Sequence, residues 1–243
     1  MESIAEQLGA NDYMITGNGA TIWDFKKGEN IYNKYLLKEK VLQIAQIAEE
    51  NSIYYNVYTE NSIITKCLNY NTLFYYHENL KKQDKNKTNI DIVENIPSYI
   101  QQMNIQNFLK VTVCDDEKII FNGIMNKLKQ IKNIDILEVA HMSRKIINYG
   151  TEEKQIQYYY TEITNENVNK WSAIEFLIKK LGIEPTEVIA IGDNINDIEM
   201  IKNAGLGIAM GNSCREVKQV ADFVTLDNNS SGVSNALEKN ILL

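Results

Sequence analysis

The stretch Val188-Ile189-Ala190-Ile191-Gly192-Asp193-Asn194-Ile195-Asn196-Asp197 decides the reading of this chain. Its first four residues are an unbroken apolar run, as in a parallel strand covered on both faces. Gly192 then lets the backbone turn sharply, and two aspartates bracket a short polar loop. Outward from it, apolar spacing predicts a helix over 197–204, a strand over 206–209, a helix near 215–220, a strand over 223–225 and a helix over 233–239. Upstream, Trp171, Ile174, Phe176, Leu177, Ile178 and Leu181 recur at helical spacing, with Asn165 or Asn167 as the N-cap and Gly182 as the stop. Strands and helices therefore alternate from residue 165 onward. That pattern predicts an α/β fold with a doubly wound parallel sheet.

In such sheets ligands bind beyond the carboxyl ends of the strands, which puts the chemistry in loop 192–197. Asp193 is held at the strand tip, and Asn196 and Asp197 open the next helix. Two carboxylates crowded there repel unless a proton or cation lies between them, and magnesium suits a set of oxygen ligands. A plainer reading has Asn194 or Asn196 merely capping the helix, with the acids favouring its positive end. Spacing alone leaves both open. A calcium loop of the EF-hand kind is excluded, because its glycine and final glutamate are not in place. Lys170 falls in the first turn of the preceding helix, where it could reach the same sheet edge and neutralise charge on a transferring phosphoryl group. Taken singly, it reads as an exposed helix lysine.

The remainder is less regular. Residues 13–16 read as a strand and Gly17-Asn18-Gly19 as a turn; Ile4, Ala5 and Leu8 share a helical face ended by Gly9. A helix over 36–50, strands over 53–58, 108–114 and 157–164, a helix over 117–131 and a polar loop over 81–89 follow no strict alternation. The middle of the chain reads as an inserted α+β domain.

The bulk properties fit a folded protein: 243 residues, 44% hydrophobic, 23% charged and 2 prolines. A net charge of -7 argues against broad nucleic-acid binding, which rests on lysines and arginines neutralising phosphates. Cys67, Cys114 and Cys214 are odd in number and widely spaced, as in a reducing compartment. No basic leader and no stretch approaching ~18 apolar residues is present, so a cytoplasmic protein with no membrane partner is expected.

The loop, together with Ala204-Gly205, Gly207-Ile208-Ala209-Met210-Gly211-Asn212 and Ala221-Asp222-Phe223-Val224-Thr225, resembles the C-terminal half of the Cof-type haloacid dehalogenase-like (HAD) phosphatases. The match is close over 165–237 and includes Val168-Asn169-Lys170; residues 13–20 resemble the family's strand and turn leading into its cap. The resemblance implies a Rossmann-like core from residues 1–22 and 165–243, with 23–164 as an inserted α+β cap that sets specificity. It implies that Asp193 binds magnesium, that Asn196 and Asp197 orient metal and phosphate, and that Lys170 holds the phosphate. Asn18 would lie at the rim, with Asn212 nearby or serving only as a turn residue. The substrate would be a small phosphorylated metabolite, a sugar phosphate or similar. A cation-pumping ATPase has a similar loop, but the absence of membrane spans and the match after Gly205 place it further away.

The family's reaction starts from an Asp-x-Asp pair whose first member is the nucleophile. No such pair occurs here: Asp115 and Asp116 are adjacent, and Asp24 stands alone. The resemblance implies that the core is N-terminally incomplete by roughly 40 to 50 residues, more than one ~30-residue βαβ unit. The chain as written is therefore expected to be inactive and marginally stable. The alternative is a non-catalytic phospholigand-binding or interaction protein that keeps Asp193 and Lys170. His141, Arg144, Lys145 and Tyr158 to Tyr160 give no readable specificity pattern.

Overall fold

A computed structural model describes residue 9 and residues 12–137, 143–149 and 152–240. The helix expected over 1–8 and His141 lie outside the described residues. The chain divides into two compact units, one containing Lys34–Asn167 and the other Tyr13–Asn33 with Val168–Leu243. No helix among the described residues is long and apolar enough to cross a membrane.

The smaller unit opens with an antiparallel sheet of β1 (Tyr13–Thr16), β2 (Thr21–Asp24) and β3 (Glu29–Asn33). Sequence reasoning puts residues 23–33 in the insert, whereas here they complete this sheet. The cause is a local turn: Asp24 Oδ1 accepts from the backbone N–H of Lys26 and Lys27 at 3.0 and 3.1 Å, and Gly28 adopts φ 69°. That turn folds β3 back onto β2.

Among the described residues the larger unit has seven strands: β4 (Tyr54–Thr59), β5 (Ile63–Thr65), β6 (Ile90–Ile92), β7 (Phe108–Asp115), β8 (Ile134–Leu137), β9 (Ser143–Tyr149) and β10 (Glu152–Asn165). They pair in the order β6-β5-β4-β7-β10-β8, with β9 on β10. Its helices are α1 (Lys38–Glu50), α2 (Tyr70–Leu80), α3 (Ile96–Gln102) and α4 (Lys118–Leu128). Alternation gives the sheet two unlike faces. Tyr55, Val57, Val111, Val113 and Ile163 join a core with Val41, Ile44 and Ala48 of α1 and Phe121, Ile124 and Leu128 of α4. The helical residues recur at i, i+3 and i+7, which is the sequence cause of their burial. The opposite face carries Asn56, Tyr58, Thr112, Tyr158 and Tyr160.

β10 is longer than the strand expected over 157–164, because it pairs with β9 at one end and with β8 at the other, where Asn165 lies opposite Ile134. Asn165 therefore belongs to a strand, and Asn167 takes a left-handed φ of 58°. Neither is the expected helix cap.

The smaller unit resumes with α5 (Lys170–Leu181), β11 (Ile189–Gly192), α6 (Ile198–Asn203), β12 (Leu206–Ala209), α7 (Arg215–Val220), β13 (Phe223–Val224) and α8 (Gly232–Asn240). Strands β11, β12 and β13 form a parallel sheet in that order, with a helix in each crossover. Ile189 is 37% exposed, so the run 188–191 is not the doubly covered strand that its composition suggests. Among the described residues β11 pairs with a strand on one side only.

Candidate active site

The loop after β11 is shaped by Asp197. A one-turn 3-10 helix, Ile195–Asp197, returns its carboxylate beneath the loop, where it is 3% exposed. Asp197 Oδ2 accepts from the backbone N–H of Asp193 and of Asn194, each at 2.9 Å. Its Oδ1 accepts from Lys170 Nζ. A buried carboxylate needs such compensation, and these charge-assisted bonds supply it. Gly192 makes room: a Cβ there would lie 2.5 Å from the Cβ of Asp197.

Lys170 is carried by the first turn of α5, whose cap is Asn169. Asn169 Oδ1 accepts from the N–H of Ser172 at 2.8 Å, and Ser172 Oγ accepts in return from the N–H of Asn169 at 3.2 Å. Gly182 closes the helix at φ 70°, as the sequence predicts. The turn Gly17–Gly19 packs against that same helix start. At Gly19 (φ 101°) a Cβ would stand 2.0 Å from the Asn169 carbonyl oxygen, so only glycine allows the approach. Thr16 and Thr21 share a 2.6 Å hydroxyl bond across the turn. Asn18 sits at its apex with φ 57°, and its Oδ1 accepts from Asn196 Nδ2 at 3.2 Å.

All six residues singled out from the sequence lie in this unit, and bonds join them in pairs: Lys170 to Asp197, Asn196 to Asn18, and Asn212 to Asp193. In the last pair Asn212 Nδ2 donates to Asp193 Oδ2 at 3.3 Å, while its Oδ1 accepts from the N–H of Asn228 at 3.0 Å. Asp197, which the resemblance implies orients metal and phosphate, has both oxygens engaged by protein donors here: it organises the loop and is the counter-ion of Lys170. Sequence reasoning missed Asn169 as the cap, although the spacing to Ser172 carried that signal.

Two oxygen groups remain for a cation. Asp193 is exposed, and Asn196 Oδ1 is buried with no hydrogen-bond partner. Among the described residues no group of three or more His, Cys, Asp or Glu could hold a metal by itself. Few, hard oxygen donors suit magnesium, which keeps several waters and shares phosphate oxygens; they do not suit a metal that needs a full protein cage.

Residues 1–237 match the haloacid dehalogenase-like hydrolase family. The chain is 28% identical over 240 residues to a 5-amino-6-(5-phospho-D-ribitylamino)uracil phosphatase of Bacillus subtilis, covering 98% of this chain and 76% of the relative. A haloacid dehalogenase-like hydrolase from Bacteroides thetaiotaomicron superposes with a TM-score of 0.74 at 24% identity, covering 98% of this chain and 81% of that one. A sugar phosphatase of HAD subclass IIB gives 0.71 at 20% identity, covering 99% and 80%. These relatives do not favour the non-catalytic alternative. With its parallel sheet, the two aspartates in the loop beyond β11 and the lysine that α5 brings to them, the chain belongs to the haloacid dehalogenase-like hydrolases, among relatives that are phosphatases of phosphate esters.

Proposed function

We propose that this site is the metal- and phosphate-holding part of a Cof-type, magnesium-dependent phosphatase acting on a small phosphorylated metabolite such as a sugar phosphate. The observation that carries the reading is the ion pair of Lys170 with Asp197 beside the exposed Asp193 carboxylate and the unpartnered, buried Asn196 Oδ1. Asp193 and Asn196 Oδ1 would hold the magnesium ion. When bound, it would polarise a phosphoryl oxygen and offset the charge of the phosphate. Lys170 presents its ammonium to the phosphate, and Asp197 fixes the direction of that ammonium from a buried position. Asn212 steadies the Asp193 carboxylate, and Asn18 steadies the Asn196 amide so that its oxygen faces the cation.

These groups bind and orient, and none is an attacking carboxylate. Because the 243-residue sequence has no Asp-x-Asp pair, this chain by itself holds metal and phosphate without turnover. The test has two parts. Manganese, as a paramagnetic stand-in, should bind the chain and be lost in Asp193→Asn; retention in that variant contradicts the metal assignment. Phosphate release from a panel of sugar phosphates with magnesium should stay at background, and metal-dependent release by this chain would overturn the no-turnover reading.

A further inference from the structure

The second face of the larger unit's sheet has no part in the chemistry above. Alternation brings Tyr58 of β4, Thr112 of β7 and Tyr160 of β10 to one side, where α2 packs over them with Phe74 and Tyr75. Between helix and sheet lies a cavity of about 120 Å³. A space of that size admits several waters or a short-chain metabolite.

Two features of the lining are unbalanced. Thr112 is 2% exposed, and its Oγ1 has no hydrogen-bond partner. Lys145 of β9 places its ammonium 4.4 Å from the centre of the Phe74 ring, and no carboxylate pairs with it among the described residues. Burial pushes the Lys145 ammonium below the usual lysine range. The acid on the same lining, Glu162, is already paired with Lys110 at 2.5 Å. The cavity thus has a half-buried ammonium with no carboxylate partner, a buried hydroxyl with no partner and aromatic walls. The buried hydroxyl is costly unless a partner reaches it, and the ammonium is the group that an entering anion would meet. A ligand that answers both carries an anionic group for Lys145 and hydroxyl groups for Thr112.

We propose that this cavity is a binding site for a small hydroxylated organic anion, with Lys145 as its charge partner and Thr112 as a hydroxyl contact. The proposal goes beyond the phosphatase reading and stands without it, since every residue named belongs to the larger unit. Carboxylate and phosphate share the required chemistry, so the two probes are D-glycerate and glycerol 3-phosphate. Each is titrated into the full 243-residue chain by saturation-transfer NMR and calorimetry.

One of the two should bind, and the stronger identifies the head group. Lys145→Met should weaken it by about tenfold or more, Lys145→Arg should restore it, and Asp193→Asn, compared with metal chelated throughout so that the phosphatase site holds no cation, should leave it unchanged. Should Lys145→Met fail to fold, Thr112→Val reads the same site through a roughly threefold or larger loss. Absence of binding by either probe, full affinity in Lys145→Met or in Thr112→Val, or loss in Asp193→Asn would overturn the proposal. The last outcome would put the anion in the phosphatase site instead, which separates failure of this inference from failure of that one.

Discussion

The two units are held together in different ways. Among the described residues of the larger one, 19 buried apolar residues form one cluster between the sheet and its helices. In the smaller one, the parallel sheet and its helices contribute a buried cluster of three, Ile201, Ala209 and Val217. Other buried apolar residues, Ile22, Ile178 and Ile208 among them, lie outside that cluster, and beside them stands a set of local polar devices: the Asn169 cap, the buried Asp197, and glycines that admit close backbone approach. Burial gives the larger unit a cooperative reserve, whereas the site-bearing unit depends on bonds that a single substitution can remove. The contrast can be observed directly, because both tryptophans, Trp23 and Trp171, belong to the smaller unit. Tryptophan fluorescence should report that unit losing structure at lower urea than far-UV circular dichroism reports for the whole chain.

The largest expected effect breaks the comparison from the stable side. Phe108 is 1% exposed, and Phe108→Ala should cost about 3–5 kcal/mol. The circular dichroism midpoint should fall while the tryptophan midpoint stays in place. A parallel shift of both would mean that the units unfold as one. Next, Asp197→Ala removes the acceptor of two backbone N–H groups and of Lys170, and about 1.5–3 kcal/mol of stability should disappear from the tryptophan transition. If only the circular dichroism transition moves, Asp197 is not what organises the loop. The smallest effect is Asn169→Ala, at about 1 kcal/mol. Its signature is faster amide exchange at Ser172 in the first turn of α5; unchanged exchange there would show that the cap does not hold that turn.

Much of the site was legible because its logic is local. A four-residue apolar run, a glycine and two aspartates at fixed spacing place a polar loop at a strand tip whatever else the chain does. The helices α1, α4 and α5 follow from their apolar periodicity. Errors arose where a neighbour distant in sequence intervened. Asn165 reads as a cap until β8 recruits it into a strand, and residues 23–33 read as insert until the Asp24 turn folds them onto β2.

By itself the sequence determined that a parallel α/β core carries a carboxylate loop with a lysine in the helix before it, because strand and helix periods are written residue by residue. Only the tertiary structure decided which oxygens stay open. Asp197 and Lys170 are 27 positions apart and meet because α5 and β11 bring them to one loop, which leaves Asp193 exposed and the buried Asn196 oxygen without a partner. The same holds for Lys145 and Thr112, on strands that no periodicity relates. They line one cavity because the sheet register puts them there, and an uncompensated charge is visible only once its neighbours are known.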